Sequence, residues 1–415
     1  MLYLYSKKIK KHGFFVLVLL VFSLCLSLLS CNRQQKLSSI EHEELFRLSY
    51  GSFEDEIDLF SLGQTGIIQS FIHMKDGFFY IANGEAKKVL QLTSFGDLLS
   101  IIYNTETNPS PSFIRQLDQG ENLVATQHAV SYPFNKIGKL SVDFNKTLYI
   151  TEELPLERQE IDKENNVLLS QVVLVFSKDG NFVDYLGQEG PGGRPFPYIT
   201  NIFTNKQNEL IVSCLTTEGQ IVYWFSQEGF LKYTIPIYND ALPELESDTL
   251  LEASLDCIIP DYSSQKLYVK IDYYKNYIDP ETKAIAGIDF YNSAVSVLDI
   301  ETGRYEEPIL IPSYTEVVSQ GYTKLNYSIP YNFLGVTETG WLFFTIPDQS
   351  GFMIQMLQPN GQKILKNHFT LDLSEVLYHN FSLSQSGIIS ALLATEDAAS
   401  VVWWRTDALT DSFIR

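Results

Sequence analysis

The residues from Gln171 to Ile237 constrain this chain most, because they hold two versions of one pattern, QVVLVFSKDGNFVDYL and IVYWFSQEGFLKYTIPI. In each, an alternating apolar run meets a Gly-centred turn, Ser177-Lys178-Asp179-Gly180 and then Ser226-Gln227-Glu228-Gly229, and a second alternating run follows. Alternation with a period of two puts every second side chain on one face of a strand, and glycine accepts the backbone of a tight reversal. Each version therefore predicts an antiparallel hairpin. A lone hairpin leaves its apolar face wet, so the pattern also predicts stacking against further copies.

The copies are present. FFYI at 78–81 precedes KKVLQLT and the turn Ser94-Phe95-Gly96-Asp97, and LYI at 148–150 precedes the Gly180 hairpin. LIV at 210–212 precedes the Gly229 hairpin, and LYV at 267–269 precedes SAVSVLDI and the turn at Gly303. Trp341-Leu342-Phe343-Phe344 precedes FMIQML and the turn Pro359-Asn360-Gly361, and Ile388-Ile389 precedes VVWWR. Six such units at uneven spacing of roughly 45 to 75 residues fit four-stranded blades, so the expected fold is an all-β, six-bladed β-propeller. Two separate β-sandwiches would need a linker near the middle, and neither Asn239 to Ser247 nor Ser313 to Gln320 has the length or low complexity of one. The sixth unit lacks an outer strand, while residues 44 to 60 hold alternating runs with no blade of their own. An N-terminal strand is expected to complete the last blade and close the ring, which spans 44–415.

Ahead of that domain, Lys7, Lys8, Lys10 and Lys11 precede an apolar run from Phe14 to Leu29 that ends at Leu28-Leu29-Ser30-Cys31. A charged segment, a short apolar segment and small residues make an export signal over 1–30, with residues 31–43 a polar tether. Removing the signal takes away four lysines and no acids, moving the formal charge from -20 to -24. Such a chain repels phosphate backbones, which excludes nucleic acid as an expected partner. Cys214 and Cys257 lie in strand-like runs, LIVSCLTT and LDCIIPDY, either as buried small hydrophobes or as a bridge that an exported chain permits.

Two stretches resemble known families. The Leu-x-Ser-Cys ending resembles the lipobox of bacterial lipoproteins, which implies acylation at Cys31 and a membrane partner through that anchor. No Asp follows Cys31 and no acidic cluster follows it, which by resemblance to sorting rules implies the periplasmic side of the outer membrane, with the cell surface as the alternative. The segment Tyr185-Leu186-Gly187-Gln188-Glu189-Gly190-Pro191-Gly192-Gly193-Arg194-Pro195-Phe196 resembles the blade connection of six-bladed propeller lipoproteins of the Bacteroidota type and, more loosely, NHL-type blades. That resemblance implies fold and location and little chemistry.

Strands alternate direction within a blade, so the first-to-second and third-to-fourth loops share one face, and the other loops share the opposite one. The first set is tight turns. The long segments fall on the second face: Thr151 to Asn166, Asp272 to Ile288, Asn104 to Lys139, Gly187 to Tyr198, Tyr238 to Ser254 and Pro312 to Pro330. That face is the expected binding face for a protein or glycan, with Tyr273, Tyr274 and Tyr277 as candidates amid acids from Glu152 to Asp248. Arg194 is a further candidate, either pointing into a central channel or orienting its own loop. His42, His73, His128, His368 and His379 are scattered without metal-ligand spacing, and no Gly-x-Ser-x-Gly, His-Glu-x-x-His or EF-hand pattern occurs. The expectation is a non-enzymatic, lipid-anchored binding or scaffold propeller without a cofactor. The alternative is a carbohydrate or lactone hydrolase or lyase with a metal in the channel.

Overall fold

The computed structural model describes residues 38–60, 68–114, 127–279, 281–320, 323–358, 360 and 362–411. The expected signal, Cys31 and the first part of the expected tether lie outside these residues, as do Pro359 and Gly361 of the expected fifth-blade turn. Six mainly antiparallel sheets form a six-bladed β-propeller. The innermost strands of the blades, in chain order, are Ser70–Lys75, Lys136–Val142, Tyr198–Thr204, Leu251–Pro260, Asn332–Val336 and Tyr378–Leu383. The apolar runs picked out by sequence are the second and third strands, such as Phe78–Asn83 with Lys88–Leu92 and Leu210–Leu215 with Gly219–Phe225. The reason is burial: second and third strands lie between neighbouring blades and are covered on both faces. Gly180 and Gly229 take φ of +77° and +85°, the left-handed backbone that closes the two hairpins of the repeat.

The core is divided into six clusters, one at each junction between adjacent blades. Five join consecutive blades. The sixth joins Leu392 and Val401 of the last blade to Phe79 and Leu90 of the first, with Phe46, Leu48, Ile57 and Leu59 of the N-terminal segment between them. Glu43–Leu48 pairs antiparallel with Ala399–Trp404, Phe46 opposite Val401 and Leu48 opposite Ala399, so the N-terminal strand completes the last blade as expected. Further bonds fasten the same segment: Tyr50 Oη donates to the Thr395 carbonyl at 2.6 Å, the buried Lys88 Nζ donates to the Phe53 carbonyl at 2.6 Å, and Asp58 N donates to Asn83 Oδ1 at 2.8 Å.

Three readings are corrected. Asp272 to Ile288, read as a loop, belongs to two long strands, Lys266–Ile278 and Ile285–Asp299, paired from Asp272 opposite Ser293 out to Ile278 opposite Ile285. Its β-branched and aromatic residues sustain pairing far beyond the blade. Pro312 to Pro330 likewise holds a hairpin, Tyr314–Gln320 with Thr323–Ile329, and Thr151 to Asn166 holds part of another, Glu160–Asp162 with Val167–Leu169. At the N-terminus, Ser39 and Ile40 sit in a short strand on the edge of the fifth blade, where Ser39 Oγ meets Thr370 Oγ1 at 2.8 Å. Cys214 and Cys257 are free thiols, the first buried and the second half-buried on the fourth inner strand, so the small-hydrophobe reading holds.

Candidate functional site

A ligand can be met on the face that carries the long connections and in the channel between the inner strands. On the first, the fourth-blade hairpin overhangs its sheet, because its neighbour strand Leu251–Pro260 stops pairing at Lys275 while the hairpin continues. The overhang exposes Tyr277 at 48%, Ile278 at 57%, Ile285 at 67% and Ile288 at 61% of their free surfaces. Leu250, directly before the neighbour strand, is exposed, and Leu156, Ile161 and Leu168 are exposed in the second-blade excursion. The opposite face keeps tight turns.

Of the four candidates named from sequence, the structure leaves Tyr277 and Arg194 exposed. Tyr273 is 1% exposed, packed with Leu242 and Ile271 between the third and fourth blades, and donates its hydroxyl to the Pro243 carbonyl at 2.8 Å. It is a core residue, because the pleat turns it inward at the base of the overhang. Tyr274 is half-buried edge-on against Phe290, with ring centres 5.9 Å apart. Arg194 lies 3.6 Å from the Glu160 carboxylate and is not among the residues lining the channel. Glu152, placed on the acidic rim by sequence, is buried; its carboxylate accepts from Asn135 N at 2.8 Å, and burial raises its pKa. At the base of the overhang the buried Lys270 amine bonds Asp272 at 2.8 Å and Asp256 at 3.0 Å, and Ser293 Oγ donates to Asp272.

The channel is a cavity of about 280 Å³ bounded by residues of all six inner strands. Its wall is apolar at Phe71, Ile202, Ile259, Leu334 and Phe381, and polar at His73, Lys139, Asn201 and Asn380. Burial, and after it the nearby Lys75 charge, pushes the His73 pKa down to about 4, so the imidazole is neutral at physiological pH. Lys139 donates to the Thr200 carbonyl and lies 6.0 Å from the Phe71 ring centre; burial lowers its pKa. At the tight-turn end of the channel, Lys75 Nζ donates to Gln385 Oε1 at 2.8 Å and sits 3.6 Å over the Phe144 ring. Among the described residues no group of three or more His, Cys, Asp and Glu side chains is placed to hold a metal ion, and no helix is long and apolar enough to cross a membrane.

Sequence reasoning missed Lys139 and left His73 as one of several scattered histidines. The available signal was a lysine inside KIGKLSV, an alternating run directly before the second blade's first turn in a strongly acidic chain.

No family model matches the chain, and no curated protein matches it. Among solved structures it is similar to a streptogramin B lyase at 12% identity, covering 88% of this chain and 100% of that one with a TM-score of 0.36. It is similar to a gluconolactonase from Xanthomonas campestris at 11% identity, covering 88% and 97% with a TM-score of 0.38. A polysaccharide lyase acting on ulvan matches at 9% identity, covering 88% and 83% with a TM-score of 0.39. Likenesses of this size say nothing of ligand or reaction, and the propeller stands on its own strand pairing.

Proposed function

We propose that this chain is a non-enzymatic, lipid-anchored propeller of the cell envelope, tethered through Cys31 on the periplasmic side of the outer membrane, that binds a partner protein with its long-loop face. One observation carries the binding reading: Tyr277, Ile278, Ile285 and Ile288 are held exposed on paired strands. Apolar side chains on a hydrogen-bonded hairpin need little backbone ordering when a partner covers them, and apolar and aromatic anchors of this kind dominate interface energies. Asp279, Glu281 and Asp289 flank the cluster against Lys275 and Lys283, giving it an acidic rim suited to a partner with basic residues at its edge. The anchor reading is supported by the residues around Cys31, and more than one acyl chain there would hold the protein stably.

The test is a photo-crosslinking side chain placed at Ile288 in the full chain in intact cells, with Phe95, exposed in a tight turn on the opposite face, as the control. A discrete adduct from position 288 and none from 95 is expected. Equal adducts from both, or none from either, would overturn the reading. Fatty-acid labelling that persists in Cys31→Ser would overturn the anchor.

A further inference from the structure

The channel has a chemistry that neither the anchor nor the docking face uses. The buried Lys270 meets two carboxylates at 2.8 and 3.0 Å, whereas the buried Lys75 and Lys88 bond neutral oxygens, Gln385 Oε1 at 2.8 Å and the Phe53 carbonyl at 2.6 Å, with carboxylates acting on them from nearby. Lys139 meets the Thr200 carbonyl and the Phe71 ring, whose centre is 6.0 Å away, and no carboxylate among the described residues. A partly desolvated ammonium has three donors and a charge to compensate.

Two amides on the same wall add donors. Asn201 Oδ1 accepts from Ile202 N at 3.1 Å, and Asn380 Oδ1 accepts from Ile72 N at 2.9 Å. A backbone N–H can only donate, so in both residues the oxygen is taken and the amide NH₂ is the end left for a ligand. The one carboxylate on the wall, Asp261, is already surrounded by donors: Ser263 N at 2.9 Å, Ser264 N at 2.7 Å and Tyr268 Oη at 3.1 Å. In a chain of net charge -20, the middle of the channel thus presents a cation and amide donors, beside the acceptor nitrogen of the neutral His73 ring and the Ser141 and Ser382 hydroxyls.

We propose that the channel binds a small organic monocarboxylate, its carboxylate on Lys139 Nζ and the amides of Asn201 or Asn380, and its apolar body against Phe71, Ile259 and Phe381. The wall suits two other common classes less well. A metal cation finds one carboxylate, that of Asp261, already held by three donors. A phosphate dianion would bring two charges to one lysine and leave the apolar wall uncovered. A cavity of about 280 Å³ sits at the lower end of the range for small-molecule sites, which limits the ligand to roughly one ring with its acid group.

Calorimetric titration of the purified chain with benzoate, benzamide and inorganic phosphate tests this. One benzoate per chain is expected, with benzamide and phosphate weaker by about tenfold or more, the loss of one charge-assisted contact. Lys139→Met should lose about tenfold in benzoate affinity, while Lys136→Met, an exposed lysine on the same strand paired with Glu153, should lose none. A second measurement needs no variant: in the wild-type chain, saturating benzoate should slow reductive methylation of Lys139 and leave Lys136 unchanged, read by peptide mass spectrometry. No benzoate binding, equal binding of benzamide, undiminished binding by Lys139→Met, or equal protection of both lysines would each overturn the proposal.

Discussion

The N-terminal strand at the seam of the ring and the fourth-blade hairpin are both additions to a standard blade, and they treat the same residue types oppositely. At the seam, Phe46, Leu48, Ile57 and Leu59 are buried between the first and last blades, and Phe46 packs edge-on against Phe79 with ring centres 5.8 Å apart. On the overhang, Tyr277, Ile278, Ile285 and Ile288 face solvent. Composition does not distinguish the two, since both are alternating strands rich in large apolar residues. What differs is whether a neighbouring blade is there to cover them, so the first addition contributes stability and the second is available for binding.

The largest expected difference between the two follows directly. Four large apolar side chains at about 1.5–3 kcal/mol each come to about 6–12 kcal/mol of transfer free energy at the seam, comparable with the whole net stability of a typical domain. Deleting Glu43 to Leu59 should therefore abolish the cooperative thermal transition, because it also frees the edge strand Ala399–Trp404. Deleting Tyr277 to Ile288 should leave that transition in place. Similar midpoints for the two truncations, measured by circular dichroism, would break the comparison.

A smaller but sharp effect is expected at the base of the overhang. Lys270 is 1% exposed and holds Asp256 and Asp272, so Lys270→Met leaves two carboxylates without their cation, one of them buried. Removing one partner of a buried ion pair costs about 3–5 kcal/mol. Lys139→Met, with no described carboxylate to abandon, should cost well under that. Urea unfolding of both variants checks the pair: equal losses would mean that Lys139 is a structural charge like Lys270.

Protonation separates the channel from both additions. The ordinary histidine pKa is near 6.5, and burial brings His73 to about 4 in the folded chain. Above about pH 6.5 both states are neutral and nothing is lost. As pH falls from 6.5 toward 4 the unfolded chain takes up a proton that the native channel refuses, so stability falls through that window, by at most about 3 kcal/mol because part of the ring faces channel water. His379, lowered by burial as well, acts in the same direction, whereas the raised carboxyls of Asp143 and Glu152 act in the opposite one. The difference between wild type and His73→Gln isolates the first term. Parallel curves for the two from pH 7 to pH 4 would show that the imidazole is solvated.

The blades were legible in the sequence because second and third strands are covered on both faces, and continuous runs such as VVLVF and WLFF are what double coverage selects. Closure by the N-terminus followed from a missing outer strand after VVWWR. The inner strands were not legible: SFIHMK and YITNIFT mix polar and apolar residues because one edge faces the channel, and that mixture reads as loop. Lys139 stayed hidden for the same reason. The long-loop face was read in outline, yet Tyr273 and Glu152, assigned to its surface, are buried, since whether a residue near a strand end points in or out depends on a pleat register that bulges shift, as between Tyr273 and Tyr274.

The smallest expected effect is the one on which the comparison finally rests. Replacing Tyr277, Ile278, Ile285 and Ile288 together by serine removes apolar surface that the native chain already leaves mostly in water, so each replacement forfeits little transfer free energy. Exposed substitutions of this kind stay within about 0.5 kcal/mol each, and the hairpin keeps its backbone pairing from Asp272 opposite Ser293 outward. The variant should melt within a few degrees of wild type, show the same benzoate titration in the channel, and lose the adduct formed from position 288. A large fall in melting temperature would mean that these residues pack against the chain itself and belong with the seam. An unchanged adduct on an intact fold would mean that the partner is held elsewhere on the long-loop face.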